Sequence, residues 1–251
     1  MLDRLIDLGA LDVESMPDRS VAALLPDSVT PPQVSAALAI DEVAVSPAIG
    51  RDDGSVWVLS PRSVQAGRLR IVPADLDAGP RVIRLIDAPA FGTGLHPTTA
   101  LCLEALQDIV DAGRPASVLD VGTGSGVLAL AALALGVPRV LAIDVDDEAL
   151  RVAADNARLN GVEERLQLAR GGPDTIAGTW PLVLANLVAA PLIEMAPSLV
   201  RRVGHHGLLV LSGIPSSVEP DVDRAYRHLG MRHVNTASRA GWVALVFQAT
   251  W

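Results

Sequence analysis

From Pro89 onward the chain alternates short, continuously apolar runs with helical stretches, and no other feature of the sequence constrains its fold as tightly. The apolar runs are SVLDVG, RVLAIDV, RLQLAR, LVLANL and GLLVLSGI. A strand that is apolar at every position has both faces covered, as in a parallel sheet with helices on either side. The intervening stretches read as helices starting near Pro97 and spanning Gly126–Leu135, Asp147–Asn160, Pro191–Arg202 and Val218–Leu229. Pro97 suits a first helical turn, where a missing N–H costs nothing, and Gly161 follows the third helix as a terminator. The last stretch, RHVNTASRAGWVALVFQA, reads as two strands around a Gly-containing turn. The expected fold is therefore α/β, a Rossmann-like sheet of seven strands closed by an antiparallel pair.

Before Pro89 the pattern is different. Possible helices at Leu2–Leu8 and Pro32–Ala39 are followed by three strand-like runs, SVWVLS, RLRIVP and RVIRLID. Asp52-Asp53-Gly54 and Asp77-Ala78-Gly79-Pro80 carry turn residues. The expected organisation is a small α+β accessory region over residues 1–88 and the α/β domain over 89–251.

Bulk properties exclude several classes. Half of the 251 residues are hydrophobic, so a substantial core is available. The formal net charge is -9, which disfavours a phosphate backbone and steers basic partners toward the surface. There is no Lys, a property we read as genomic base composition. The single cysteine, Cys102, precludes an internal disulfide and a multi-cysteine zinc site. It shares an apolar helical stripe with Leu106, Ile109 and Val110 and reads as a buried thiol. The acidic N-terminus lacks the apolar core of a signal peptide, and the apolar run Val127–Val137 is too short to cross a bilayer. A cytoplasmic protein with no membrane and no direct nucleic-acid contact is expected, with no metal site.

The chemistry is concentrated in Val118-Leu119-Asp120-Val121-Gly122-Thr123-Gly124-Ser125-Gly126, a buried strand running into a glycine turn that opens a helix. Glycines let the backbone turn sharply and approach a ligand closely. The spacing is G-x-G-x-G, with Val127 where a dinucleotide fingerprint would carry its third glycine. Asp120 at the strand end is awkward beside a pyrophosphate and suited to a cation, such as the ammonium and sulfonium of S-adenosylmethionine. Asp144 ends the next strand, 22 residues after Gly122, where an acid can accept from both ribose hydroxyls. Asp146, Asp147 and Glu148 suit a helix N-terminus better than a metal loop. Asn186 closes LVLAN at the carboxyl edge of the sheet, where open α/β folds place ligands. Loop, acid and strand order together favour a class I methyltransferase domain over a dehydrogenase.

Upstream stands Ala90-Phe91-Gly92-Thr93-Gly94-Leu95-His96-Pro97-Thr98-Thr99. With VLDVGTGSGVLALAA, AIDVDDEALRVAADNARLNGV and LVLANLVAAPL, it closely resembles the PrmA family, which methylates amino groups of a large-subunit ribosomal protein. The resemblance runs from about Ala90 to Gly213. It implies that Thr99 contacts the cofactor from the helix before the sheet, that Gly122 and Gly124 line its methionine moiety, and that Asp144 holds its ribose. It further implies that Phe91 and the turn containing Thr93 cover the cofactor, and that Asn186 is the catalytic residue facing the transferred methyl group. His96 is either part of this site or a polar group at a helix start. The family likeness implies an amine acceptor on a basic ribosomal protein. Asn186-Leu187-Val188-Ala189 lacks the aromatic that amide- and adenine-methylating enzymes carry there, in keeping with an aliphatic amine.

The chain departs from the family in two places. Residues 1–88 do not match its amino-terminal recognition domain, apart from a faint likeness between Val56 and Pro73, and Arg170-Gly171-Gly172-Pro173 stands where many class I enzymes carry an acidic adenine contact. Another protein or a small-molecule amine therefore stays open as acceptor, as does a cofactor-binding module without catalysis. The sequence sets neither the number of methyl groups added nor the oligomeric state.

Overall fold

A computed structural model of the chain describes residues 4–5, 8, 10, 12–15, 21–25, 29–40, 43–44, 63–76, 78–88 and 96–251. Its centre is a seven-stranded sheet built from β6 (Val118–Val121), β7 (Val140–Asp144), β8 (Leu166–Arg170), β9 (Trp180–Asn186), β10 (Val203–Pro215), β11 (Met231–Arg239) and β12 (Trp242–Ala249). The strand order is β11-β12-β10-β9-β6-β7-β8. Strands β6 to β10 run parallel, while β12 pairs antiparallel with both β10 and β11. The last strand is thus inserted into the sheet and β11 forms the edge, an order that sequence proximity alone does not dictate.

Successive strand residues supply opposite faces. Val118, Val140, Ala142, Leu182, Leu184 and Val210 belong to one buried cluster, and Leu119, Val121, Ile143, Val183, Ala185 and Leu211 to the other. That two-sided burial is why these strands read as unbroken apolar runs. The first face carries α2 (Pro97–Ala112), α3 (Val127–Ala134) and α4 (Asp147–Leu159). The second carries α5 (Ala189–Glu194), α6 (Ala196–Val200) and α7 (Glu219–His228). Where the sequence predicts one helix over Pro191–Arg202, the structure has two, broken at Met195. Pro197 has no N–H to offer the Ile193 carbonyl, so the hydrogen-bond ladder is interrupted there, and the proline sits in the first turn of α6, where the missing N–H costs little.

A second, three-stranded sheet of β3 (Val64–Ala66), β4 (Leu69–Pro73) and β5 (Val82–Leu85) packs on the first face. Its Leu69, Ile71, Ile83 and Leu85 share a buried cluster with Leu103, Leu106 and the whole of α3. Helix α3 is therefore apolar all round because it lies between two sheets. Gln107, buried on α2, ties the layers together: it donates to the Ala66 carbonyl at 3.0 Å and accepts from the Arg68 N–H at 2.6 Å. Residues 64–85 thus share one core with the catalytic sheet rather than forming a core of their own.

Further toward the N-terminus, β1 (Asp12–Ser15) and β2 (Val21–Leu24) form an antiparallel pair that the sequence did not announce. Helix α1 (Pro31–Leu38) begins one residue before its expected start. Leu5, Ala10 and Val34 form a separate small cluster. Arg4 and Leu5 of the expected first helix are helical, whereas the SVWVLS run and the Asp52-Asp53-Gly54 turn lie outside the described residues.

Candidate active site

The carboxyl ends of β6, β7 and β9 converge where the order of the parallel strands reverses, which is where open α/β sheets form their ligand crevice. The turn after β6 takes left-handed φ at Gly122 (71°), Gly124 (53°) and Gly126 (84°). At Gly122 glycine is doubly required. A side chain there would be conformationally strained, and its Cβ would fall 2.4 Å from Leu187 Cδ2, on the segment that carries Asn186. The loop is held from below, because the N–H groups of Gly122 and Thr123 both donate to the Ile143 carbonyl of β7, at 2.9 and 3.1 Å.

Asp120 lies beneath this loop with 1% exposure. Its Oδ2 accepts from the Thr123 hydroxyl at 2.7 Å, while Oδ1 is buried with no protein partner. Burial raises its pKa from 3.8 to about 6, against the lowering effect of the Thr123 hydroxyl and of the nearby Ala129 N–H; Asp144 adds to the rise. A carboxylate in that setting is short of a cationic partner. Asp144 uses one oxygen to accept from the Gly124 N–H at 3.0 Å and the other to accept from the Asp146 N–H at 3.1 Å. It is half-buried, and as a carboxylate it keeps acceptor capacity beyond these two bonds.

Across the crevice, Asn186 Nδ2 donates to Thr99 Oγ1 at 3.3 Å. Thr99 is fully buried on α2, and Asn186 Oδ1 is buried without a protein partner. A buried amide oxygen left open is costly unless a ligand or water donates to it. Four of the sequence-derived residues therefore build one site, Asp120, Asp144, Asn186 and Thr99, together with Gly122 and Gly124. Phe91 and Thr93 lie outside the described residues.

His96 caps α2: its Nδ1 accepts from the Thr98 N–H at 3.4 Å and lies 2.8 Å from the Thr98 hydroxyl. Burial lowers its pKa to about 4, so it is a neutral imidazole at neutral pH. The plain role at a helix start thus has a geometric basis. Asp146 likewise caps α4 by accepting from the Glu148 N–H at 2.9 Å. Cys102 is buried, and its thiol is pushed up to about 12, chiefly by desolvation.

Trp242 and Val145 have no signal in the sequence reading, and Arg170 enters it only as part of a stretch that lacks an acid. Trp242, at the start of β12, sets its ring edge-on to His96 at 5.0 Å, and only the inserted position of β12 brings it there. Val145, next to Asp144, is 69% exposed, an apolar side chain left open at the sheet edge. Arg170 braces that turn, donating from Nε to the Val145 carbonyl at 3.3 Å and pairing with Asp147 at 3.0 Å. Among the described residues no group of His, Cys, Asp and Glu is placed to hold a metal, and no helix is long and apolar enough to cross a membrane.

A glycine turn walled by two carboxylates favours a cationic nucleoside donor and repels a pyrophosphate. With the inserted antiparallel strand, it defines the fold as that of the class I S-adenosylmethionine-dependent methyltransferases. A family model described as "Ribosomal protein L11 methyltransferase (PrmA)" matches residues 59–250, and the chain belongs to that family. The match extends beyond the Ala90–Gly213 stretch legible in the motifs, taking in β3–β5 and the final hairpin.

Relatives carrying the name ribosomal protein L11 methyltransferase include one from Pelobacter propionicus, 38% identical over 220 residues, covering 84% of this chain and 71% of the relative. Another, from Geobacter sulfurreducens, is 44% identical over 172 residues, covering 68% of this chain and 56% of the relative. The chain thus spans little more than half the length of the second. The crystal structure of a ribosomal protein L11 methylase from Lactobacillus delbrueckii subsp. bulgaricus superposes with a TM-score of 0.69 at 30% identity, covering 75% of this chain and 99% of that one.

Proposed function

We propose that this chain transfers methyl groups from S-adenosylmethionine to amino groups, lysine side chains or an N-terminus, of ribosomal protein L11. The reading rests on family membership and on one observation of the site: two buried acceptor oxygens, Asp120 Oδ1 and Asn186 Oδ1, stand unpartnered at adjacent strand ends. Asp120 meets the demand of a donor with cationic ammonium and sulfonium groups, and Asn186 that of an amine with N–H bonds to donate. The acidic net charge favours a basic acceptor protein. A ribosomal acceptor also places the enzyme in the cytoplasm.

In this reading Asp144 holds the ribose hydroxyls, Gly122 and Gly124 give the methionine moiety close approach to bare backbone, and Val145 offers an apolar face to the base. The family likeness assigns Phe91 and Thr93 to the donor as well. S-adenosylmethionine supplies an already activated methyl group, so the protein's task is alignment rather than activation.

Thr99 holds Asn186 by its amide N–H, which leaves Oδ1 free to accept from the attacking amine and aim its lone pair. The amine must arrive neutral, and its proton passes to solvent. His96 is neutral but already committed to the cap of α2, so no side chain here is assigned as a dedicated base.

Incubation with methyl-labelled S-adenosylmethionine, free L11 and intact ribosomes tests the reading. Label on L11 supports it. Label on another protein or on a small amine keeps the chemistry and replaces the acceptor. Donor binding without transfer to anything in a lysate overturns catalysis and leaves a binding module.

A further inference from the structure

Two asparagines four residues apart, Asn156 in α4 and Asn160 at its C-cap, turn their amides toward the same stretch of backbone. Asn160 Oδ1 accepts from the Arg84 N–H at 2.9 Å, and its Nδ2 donates to the Arg84 carbonyl at 2.7 Å. Asn156 Oδ1 accepts from the Ile86 N–H at 2.8 Å, just past the end of β5. The pair continues, through side chains, the alternate-residue hydrogen bonding of a strand. Asn156 then does something Asn160 does not, because its Nδ2 donates to the Ser125 carbonyl of the glycine loop at 2.9 Å.

One fully buried amide therefore joins two segments that both lead into the donor site. Ser125 precedes Gly126, whose left-handed turn starts α3 and whose Cβ position lies 3.2 Å from Ala153 Cβ, one turn before Asn156 on α4. Ile86 lies ten residues before His96, the cap of the helix that carries Thr99. Asn156 is fixed in orientation by its two partners, since a flipped amide would set Nδ2 against an N–H and Oδ1 against a carbonyl. Movement of the Ser125 peptide on donor binding would thus be felt at Ile86.

We propose that Asn156 is a positioning residue for the methyl donor. It sets the Ser125 peptide of the glycine loop against the strand that leads to α2, so that donor binding and the ordering of Ile86 are coupled. The inference rests on the reading of this site as an S-adenosylmethionine site. Asn160, with the same chemistry but no bond to the loop, fastens β5 to α4 and has no part in donor affinity.

The test uses the whole chain and S-adenosylhomocysteine as probe. Calorimetry on the wild type comes first, and absence of binding there defeats the site reading itself. Given binding, hydrogen exchange at the Ile86 amide is expected to slow by about tenfold or more when the probe is added. Exchange at Ile86 that the probe leaves unchanged overturns the inference while leaving the site reading intact.

Asn156→Asp keeps the acceptor for Ile86 and removes the donor to Ser125. It is expected to bind the probe about tenfold more weakly and to raise KM for the donor with kcat little changed. Asn160→Ala is expected to melt earlier yet bind within about twofold of wild type. A folded Asn156→Asp protein with wild-type affinity shows that the amide only satisfies buried groups, and ends the proposal. If that variant does not fold, the wild-type exchange result decides alone.

Discussion

At the scale of single residues, the site combines two titrations that oppose each other. Asp120 holds its proton more tightly folded than unfolded, with a pKa of about 6 against 3.8, so its ionisation removes stability as pH rises through that window. The full cost is about 3 kcal/mol above the window. His96 is depressed to about 4 from 6.5, so its neutral form adds stability above 6.5 that is lost as pH falls toward 4. The windows overlap and the slopes have opposite sign. Wild-type stability should therefore change little between pH 4.5 and 6.5, whereas Asp120→Asn should become steadily more stable across that range. Urea unfolding at several pH values checks this, and a flat Asp120→Asn profile would refute the paired assignment.

Ligand binding makes a separate residue-scale demand. A cationic donor selects ionised Asp120, so its affinity should rise as pH is brought from 5 to 7.5, with the inflection near the carboxylate's value of about 6. Asp144→Ala removes the proposed ribose partner and the acceptors of two backbone N–H groups, and a loss of donor affinity of tenfold or more with the fold retained is expected. Calorimetry showing unchanged affinity would refute the ribose role. Asn186 and Asp144 were legible in the sequence because each ends an apolar strand with a polar side chain. Trp242 was not, since nothing local to β12 says which strand it will lie beside.

Elements show the opposite balance. The parallel strands and their helices are written in apolar runs and cap residues, and the structure places them with shifts of a few residues. The break between α5 and α6 is a tertiary matter as well as a local one. Tyr226 of α7, fully buried, donates its hydroxyl to the Leu192 carbonyl at 2.7 Å, in the last turn of α5. Helix ends leave carbonyls without partners, and this hydroxyl supplies one. Tyr226→Phe should cost about 1–3 kcal/mol, read by denaturant unfolding, because it leaves a buried acceptor open without making a large cavity. A loss below a few tenths of a kcal/mol would mean that another donor takes over that carbonyl.

For the whole molecule, the consequential contact is that of the three-stranded sheet on α2 and α3. Removing it would expose Leu103, Leu106 and the outer face of α3. Ile83→Ala, in β5, should therefore destabilise the catalytic domain by about 2–5 kcal/mol while a single unfolding transition is retained. Two resolved transitions, only one of them shifted, would show that the sheet is an independent unit. The small cluster of Leu5, Ala10 and Val34 stands apart from this core, and substitutions there should leave that transition in place.

The sequence by itself determined the α/β class, the positions of the strands after Pro89, the glycine loop and the acids at the strand ends. These follow from local periodicity and from polar residues that interrupt it, and both are visible in one dimension. Tertiary structure alone decided that β12 lies between β10 and β11, that residues 64–85 share the catalytic core, and that Asn156 joins the loop to the segment after β5. Such pairings depend on which apolar faces meet and which buried N–H and carbonyl groups still need partners. That is settled only when the chain closes on itself.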